Sequence, residues 1–127
     1  DNALGAVVFR FANPYNVYLH DTPEQRLFNK TDRDFSHGCI RLEHADKFGK
    51  MLLQNDHAAN LVNNFTKAMI RYRTKTFRLK TPVPLHITYL TCGIDEWGLV
   101  TTYTDIYNLD KSLEMALYNV SEPLSMQ

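Results

Sequence analysis

The sequence predicts an α+β domain, mainly β, with a curved sheet or sandwich and two helices. Three observations carry this. Short runs rich in β-branched and aromatic residues recur, as in residues 6–11 (AVVFRF) and 85–92 (LHITYLTC), and such runs favour strands. Between Leu42 and Arg71 the apolar residues fall instead at helical spacing. The chain has 127 residues, a length that suits one domain able to bury a core without a disulfide or metal staple.

The elements follow in order. Residues 6–11 form a first strand, Asn13-Pro14-Tyr15-Asn16 a turn, and residues 17–20 (VYLH) the second strand of a hairpin. Thr22 before Pro23 reads as a helix N-cap with proline at the first helical position, opening a short helix over 24–28. Residues 29–34 (NKTDRD) form a polar loop. Apolar residues at 42, 45, 48, 52 and 53 predict a helix over 43–54, with Asp56 capping a second helix over 57–71. That helix places Leu61, Phe65, Ala68 and Met69 on one face. Residues 74–80 alternate as a strand, 85–92 form a strong strand, and 99–103 its hairpin partner across a turn at 93–98. Residues 111–118 read as a short helix, and the tail after Ser121 as loose.

Composition bounds function. Lys+Arg and Asp+Glu both number 14, so bulk charge points to neither nucleic acid nor an anionic membrane. No run of about 18 apolar residues exists, hence no transmembrane segment is expected in this chain. Asp1-Asn2-Ala3-Leu4-Gly5 carries neither the basic start nor the apolar stretch of a signal peptide, which leaves the compartment open. The basic residues Arg71, Arg73, Lys75, Arg78 and Lys80 read as a solvated strand face.

Chemistry concentrates in Ser36-His37-Gly38-Cys39. A thiol is a useful nucleophile only as a thiolate, so a group nearby must take its proton. Histidine suits that task near neutrality. Gly38 removes a side chain beside the sulfur, letting the Gly38 and Cys39 N–H groups approach a developing oxyanion. A helix starting soon after Cys39 would favour negative charge there, as in a nucleophile raised on a tight strand-to-helix turn. On an extended strand His37 and Cys39 face the same way. His20 ends the second strand, and the loop that follows is long enough to return the chain to the same edge. Both His20 and His37 are therefore candidates for proton transfer.

His20, its spacer and Ser36-His37-Gly38-Cys39-Ile40 resemble the signature of the L,D-transpeptidase (YkuD-like) family. Val17-Tyr18-Leu19-His20-Asp21-Thr22-Pro23, Leu27-Phe28, Cys39-Ile40-Arg41-Leu42-Glu43 and Asp105-Ile106-Tyr107 look like that family's large periplasmic branch. Where many members carry Asn, this chain has Arg41, as that branch tends to. The resemblance spans roughly residues 2–108, expected to be the C-terminal portion of the catalytic domain, with 109–127 a tail. It implies a periplasmic or cell-envelope enzyme that needs no cofactor. Its partners would be peptidoglycan stem peptides, with carbapenem β-lactams as inhibitors. It also implies roles: Cys39 as nucleophile, His20 as general base, His37 orienting or sharing that task, and backbone N–H groups of Gly38 and Cys39 as the oxyanion hole. Ser36, Arg41 and Tyr18 would meet substrate, Arg41 gripping a carboxylate with its planar fork.

Plainer readings stand beside these. Cys92 reads as a buried small residue, His44 and His57 as surface helix residues, and Phe9, Phe11, Tyr18, Tyr89 and Tyr103 mostly as sheet packing. A hydrolase passing the same thioester to water, a zinc site of His20, His37, Cys39 and His44, and a non-catalytic wall-binding module are the rival functions.

Overall fold

The computed structural model describes residues 2–118. Its class is α+β: three α-helices and two small sheets among the described residues. The chain divides after Val83 into two units.

In the first unit, β1 (Val8–Phe9), β2 (Leu19–His20) and β3 (Ile40–Arg41) form one sheet in that order. β1 and β2 are the antiparallel hairpin that the sequence predicts, with Val8 opposite His20 and Phe9 opposite Leu19. The turn between them is tied by the Asn13 side chain. Its amide donates to Phe11 O (3.1 Å) and Val17 O (2.9 Å), and its oxygen accepts from Tyr15 N (3.1 Å) and Val17 N (3.0 Å). β3 joins β2 in parallel, Leu19 opposite Ile40 and His20 opposite Arg41. Parallel pairing requires a crossover. It contains a short 3-10 helix at Gln25–Asn29, and residues 29–38 are exposed. Thr22 does not cap as a helix N-cap; its hydroxyl accepts from Glu24 N two residues on (3.1 Å), and the helical residues begin only after Glu24.

Helix α1 (Ala45–Asn55) and helix α2 (Val62–Ile70, preceded by a 3-10 turn at Ala59–Leu61) follow. Their spaced apolar residues supply the core: Ala45 and Leu53 of α1 and Phe65 of α2 are buried with Ala58 from the connection between them and Val7 from the sheet side. Phe9 meets Phe48 edge-to-face at 5.1 Å. Gly49 lets the helices close, since a β-carbon there would stand 2.5 Å from the Phe65 ring.

Two expectations are corrected here. Asp56 does not cap α2. Its carboxylate instead accepts from Lys80 N (2.8 Å) and Thr81 N (2.7 Å), because two backbone donors without sheet partners outcompete a helix end already closed by a 3-10 turn. Residues 74–80 alternate as predicted, with Phe77 and Leu79 half-buried against the core, yet they pair with no strand among the described residues. Side-chain packing and the Asp56 tie hold them instead.

The second unit holds β4 (Cys92–Ile94) and β5 (Val100–Thr102), an antiparallel hairpin, and α3 (Asp110–Tyr118). Asp95 closes its turn, accepting from Trp97 N and Leu99 N (both 2.9 Å), and Gly98 takes φ +82°, a conformation that costs glycine least. Tyr89 donates to Asp105 (2.7 Å), and Asp105 also accepts from Asp110 N (2.8 Å). The predicted strand 85–92 contributes only Cys92 to a sheet. Cys92 is exposed rather than buried, as is Tyr103, because no second layer among the described residues of this unit covers the hairpin. The predicted tail after Ser121 lies outside the described residues.

Candidate active site

The sheet of the first unit has two unlike faces. Val7, Phe9 and Leu42 belong to the core. Alternation along each strand therefore turns Val8, His20 and Arg41 to the opposite face. Ile40 N donates to Tyr18 O (2.9 Å) and Leu42 N to His20 O (2.8 Å), so the pairing continues beyond the regular strand. Extending the register by one residue sets Cys39 beside Tyr18, on the face that carries His20 and Arg41. Cys39 and His20 are thus diagonal neighbours on adjacent strands.

His20 is 5% exposed. Its Nδ1 lies 2.5 Å from the carbonyl oxygen of Asp21. A carbonyl can only accept, so Nδ1 is the donor, which leaves Nε2 as the ring position for proton transfer. Asp21 is itself fixed. Its N–H donates to Val7 O (2.8 Å), and its carboxylate accepts from Ala6 N (2.9 Å) and Gln25 Nε2 (3.2 Å). Gly5 packs so closely on Asp21 that a side chain there would collide. The part played by Asp21 is not legible in the sequence, since a backbone carbonyl leaves no residue-type signal.

Cys39 is a half-buried free thiol. The turn before it is built by Ser36, whose hydroxyl donates to Cys39 O (2.6 Å) and accepts from Gly38 N (3.3 Å). Gly38 takes φ +149°, open to glycine and hardly to other residues. This bend corrects two expectations. Strand alternation does not relate His37 to Cys39, because the chain between them is not extended; His37 is exposed. Nor does Cys39 sit on a strand-to-helix turn: β3 (Ile40–Arg41) follows it directly, and α1 begins only at Ala45. Ser36 shapes the turn and makes no bond to a histidine among the described residues. No partner occupies the Cys39 N–H among the described residues, while the Gly38 N–H is directed at Ser36.

Arg41, opposite His20, is half-buried. Its Nε and Nη1 are buried without a hydrogen-bond partner, a costly state for a cation that an anionic ligand would relieve. Tyr18 is half-buried, with the Arg10 guanidinium 5.6 Å above its ring centroid. Among the described residues no three His, Cys, Asp or Glu side chains gather as a metal-binding set. A cavity of about 400 Å³ lined by Asp105, Asn108, Lys111, Ser112 and Met115 in the second unit holds none of the predicted site residues.

Comparison with known proteins puts this sheet-and-helix unit in a class of enzyme catalytic domains: residues 1–84 match the family model of the L,D-transpeptidase catalytic domain. The chain belongs to that family, YkuD. A Haemophilus influenzae protein named "Putative L,D-transpeptidase" is 33% identical over 119 residues, which is 94% of this chain. The chain spans 24% of that relative's length. No helix among the described residues is long and apolar enough to cross a membrane.

Proposed function

We propose that this chain carries the reaction centre of a peptidoglycan L,D-transpeptidase acting in the periplasm or cell envelope. The observation that supports it best is the β2–β3 register, with its buried, singly oriented His20 diagonal to a free Cys39. His20 Nε2 takes the thiol proton. The Cys39 thiolate attacks the carbonyl joining the L-centre of the third stem residue to D-alanine. The unpartnered Cys39 N–H stabilises the oxyanion, and the Gly38 N–H joins it by turning from Ser36 Oγ, which it meets at 3.3 Å. The C–N bond then breaks, the proton on His20 passes to the leaving D-alanine amine, and a thioester remains. A side-chain amine of a second stem, deprotonated by His20, attacks the thioester and frees the thiolate, giving a 3→3 crosslink. Water in place of the amine would give a carboxypeptidase instead.

Arg41 supports the reading from the substrate side, since its two buried, unsatisfied nitrogens ask for an acceptor. It is assigned to a donor carboxylate, Tyr18 to the cleft wall, Ser36 to holding the turn, and His37 to a supporting role at the rim. Replacing Arg41 with Lys is expected to weaken donor binding more than the chemical step; unchanged apparent affinity removes that role.

The deciding experiment is intact mass after incubation with a carbapenem, whose strained amide mimics the acyl donor, on the full-length protein and its Cys39→Ala variant. A one-to-one adduct absent from Cys39→Ala is expected. No adduct on the full-length protein would overturn the reading in favour of a non-catalytic wall-binding module.

A further inference from the structure

The face that presents Cys39 also carries a cation that the reaction above leaves without a task. β1 and β2 pair Val8 with His20 and Phe9 with Leu19. The next pair toward the turn is Arg10 with Tyr18, and the Asn13 side chain, bonded to both Phe11 O and Val17 O, holds the hairpin closed there. The register is visible in the side chains, because the Arg10 guanidinium rests 5.6 Å above the Tyr18 ring. Across β2, Tyr18 is the row neighbour of Cys39 by the pairing that Ile40 N and Tyr18 O establish. Arg10, Tyr18 and Cys39 therefore form one row, with adjacent strands about 4.8 Å apart. Arg10 is exposed, and among the described residues no carboxylate pairs with it.

We propose that Arg10 is a specificity residue, taking a carboxylate of the acyl donor two to three residues from the reacting carbonyl. The spacing carries the proposal. Two strand steps put the Arg10 backbone about 10 Å from that of Cys39, and extended peptide covers about 3.3 Å per residue. A donor lying across the sheet from Cys39 toward β1 would cross Tyr18 and end its reach at Arg10. Its place over the ring restrains the guanidinium, so the fork can pair with a planar carboxylate at lower entropic cost. Lysine would keep the charge but lose the fork. Arg41 lies opposite His20, in the next row of the same face. The two guanidinium groups thus stand on either side of the Cys39–His20 diagonal, and the donor class they fit is a peptide with more than one carboxylate.

The inference rests on the acyl-transfer reading, and the test separates them. Two synthetic peptide donors, differing only in a carboxylate or a carboxamide two residues before the reacting carbonyl, are turned over by the full-length protein, by Arg10→Gln and by Arg10→Lys. For the carboxylate donor, KM is expected to rise about 5- to 10-fold in Arg10→Gln, the range of a partly exposed charge-assisted pair, with kcat within about twofold and Arg10→Lys only partly restoring it. The carboxamide donor should be indifferent to both changes, which also shows that each variant is folded and its site assembled. Equal effects on both donors would overturn the proposal by making Arg10 a packing partner of Tyr18 alone, and no effect on either would overturn it as well. If neither donor forms a thioester on the unsubstituted protein, it is the acyl-transfer reading that fails.

Discussion

A β-carbon on Gly5 would stand 2.5 Å from Oδ2 of Asp21 and 2.7 Å from its carbonyl carbon. Asp21 is the residue whose carbonyl holds the His20 ring, so the backbone of Gly5 bears directly on the orientation of the candidate base. Gly5 also takes φ +62°, where a side chain is strained. Gly5→Ala is expected to cost about 1–3 kcal/mol of stability. It should also slow Cys39 acylation at temperatures where the variant remains folded. Denaturant unfolding and the rate of mass-adduct formation, measured side by side, check both halves.

Gly49→Ala provides the contrast, because the nearest atoms its added methyl would meet belong to the Phe65 ring inside the helix pair, 2.5 Å at Cζ. Overpacking of this kind costs about 1–3 kcal/mol. Combining it with Phe65→Leu should recover part of that loss, since the two sites share the same space. Acylation well below the melting temperature should match the unsubstituted protein. A slowed reaction there would mean that core and site are coupled.

His20→Asn isolates the chemistry from the fold. The asparagine amide nitrogen can replace Nδ1 as donor to Asp21 O, but nothing replaces Nε2. The unfolding midpoint should move little, while acylation falls about 10²- to 10⁴-fold, the usual worth of a positioned general base. His37→Gln, at an exposed position, should fall by much less. The reverse order would exchange the roles of the two histidines.

Asp56 gives the first unit a pH dependence of known sign. Hydrogen bonds from the Lys80 and Thr81 backbone amides hold its carboxyl below the ordinary value of 3.8. The folded chain therefore binds this proton more weakly than the unfolded chain. The stability it contributes is complete above the unfolded-state value and is lost as pH falls through the depressed folded-state one. Asp56→Asn should flatten the decline in stability below about pH 4 and speed amide exchange at Lys80 and Thr81. Exchange unchanged at those two amides would remove the tie.

What was legible follows from the range of each interaction. The helices over 45–55 and 62–70 show in the sequence because their apolar spacing is local, and the Ser36–Cys39 turn because its residue types are unusual together. His20 was legible through its spacing to Cys39. The strand character read at 74–80 and 85–92 was local alternation, but a strand also needs a partner, and pairing is decided by residues far away in sequence. Asp56 shows the same limit. It lies next to a helix start, yet its partners are 24 and 25 residues on. The dependence of His20 on Gly5 was invisible, since it passes through a backbone carbonyl.

The parallel pairing of β2 with β3 has a consequence for insertions and deletions. Lengthening the exposed crossover at residues 30–35 leaves the frame of both strands intact, and longer loops cost little. One residue added between Cys39 and Leu42 would instead reverse the outlook of every side chain ahead of it, since the pleat repeats every two residues. Leu42 anchors β3 in the core, so the thiol would turn toward the core, and Ile40 or the added residue, according to the point of insertion, would take its place beside His20. Length is therefore free in the crossover, while the pleat fixes the count from Cys39 to Leu42.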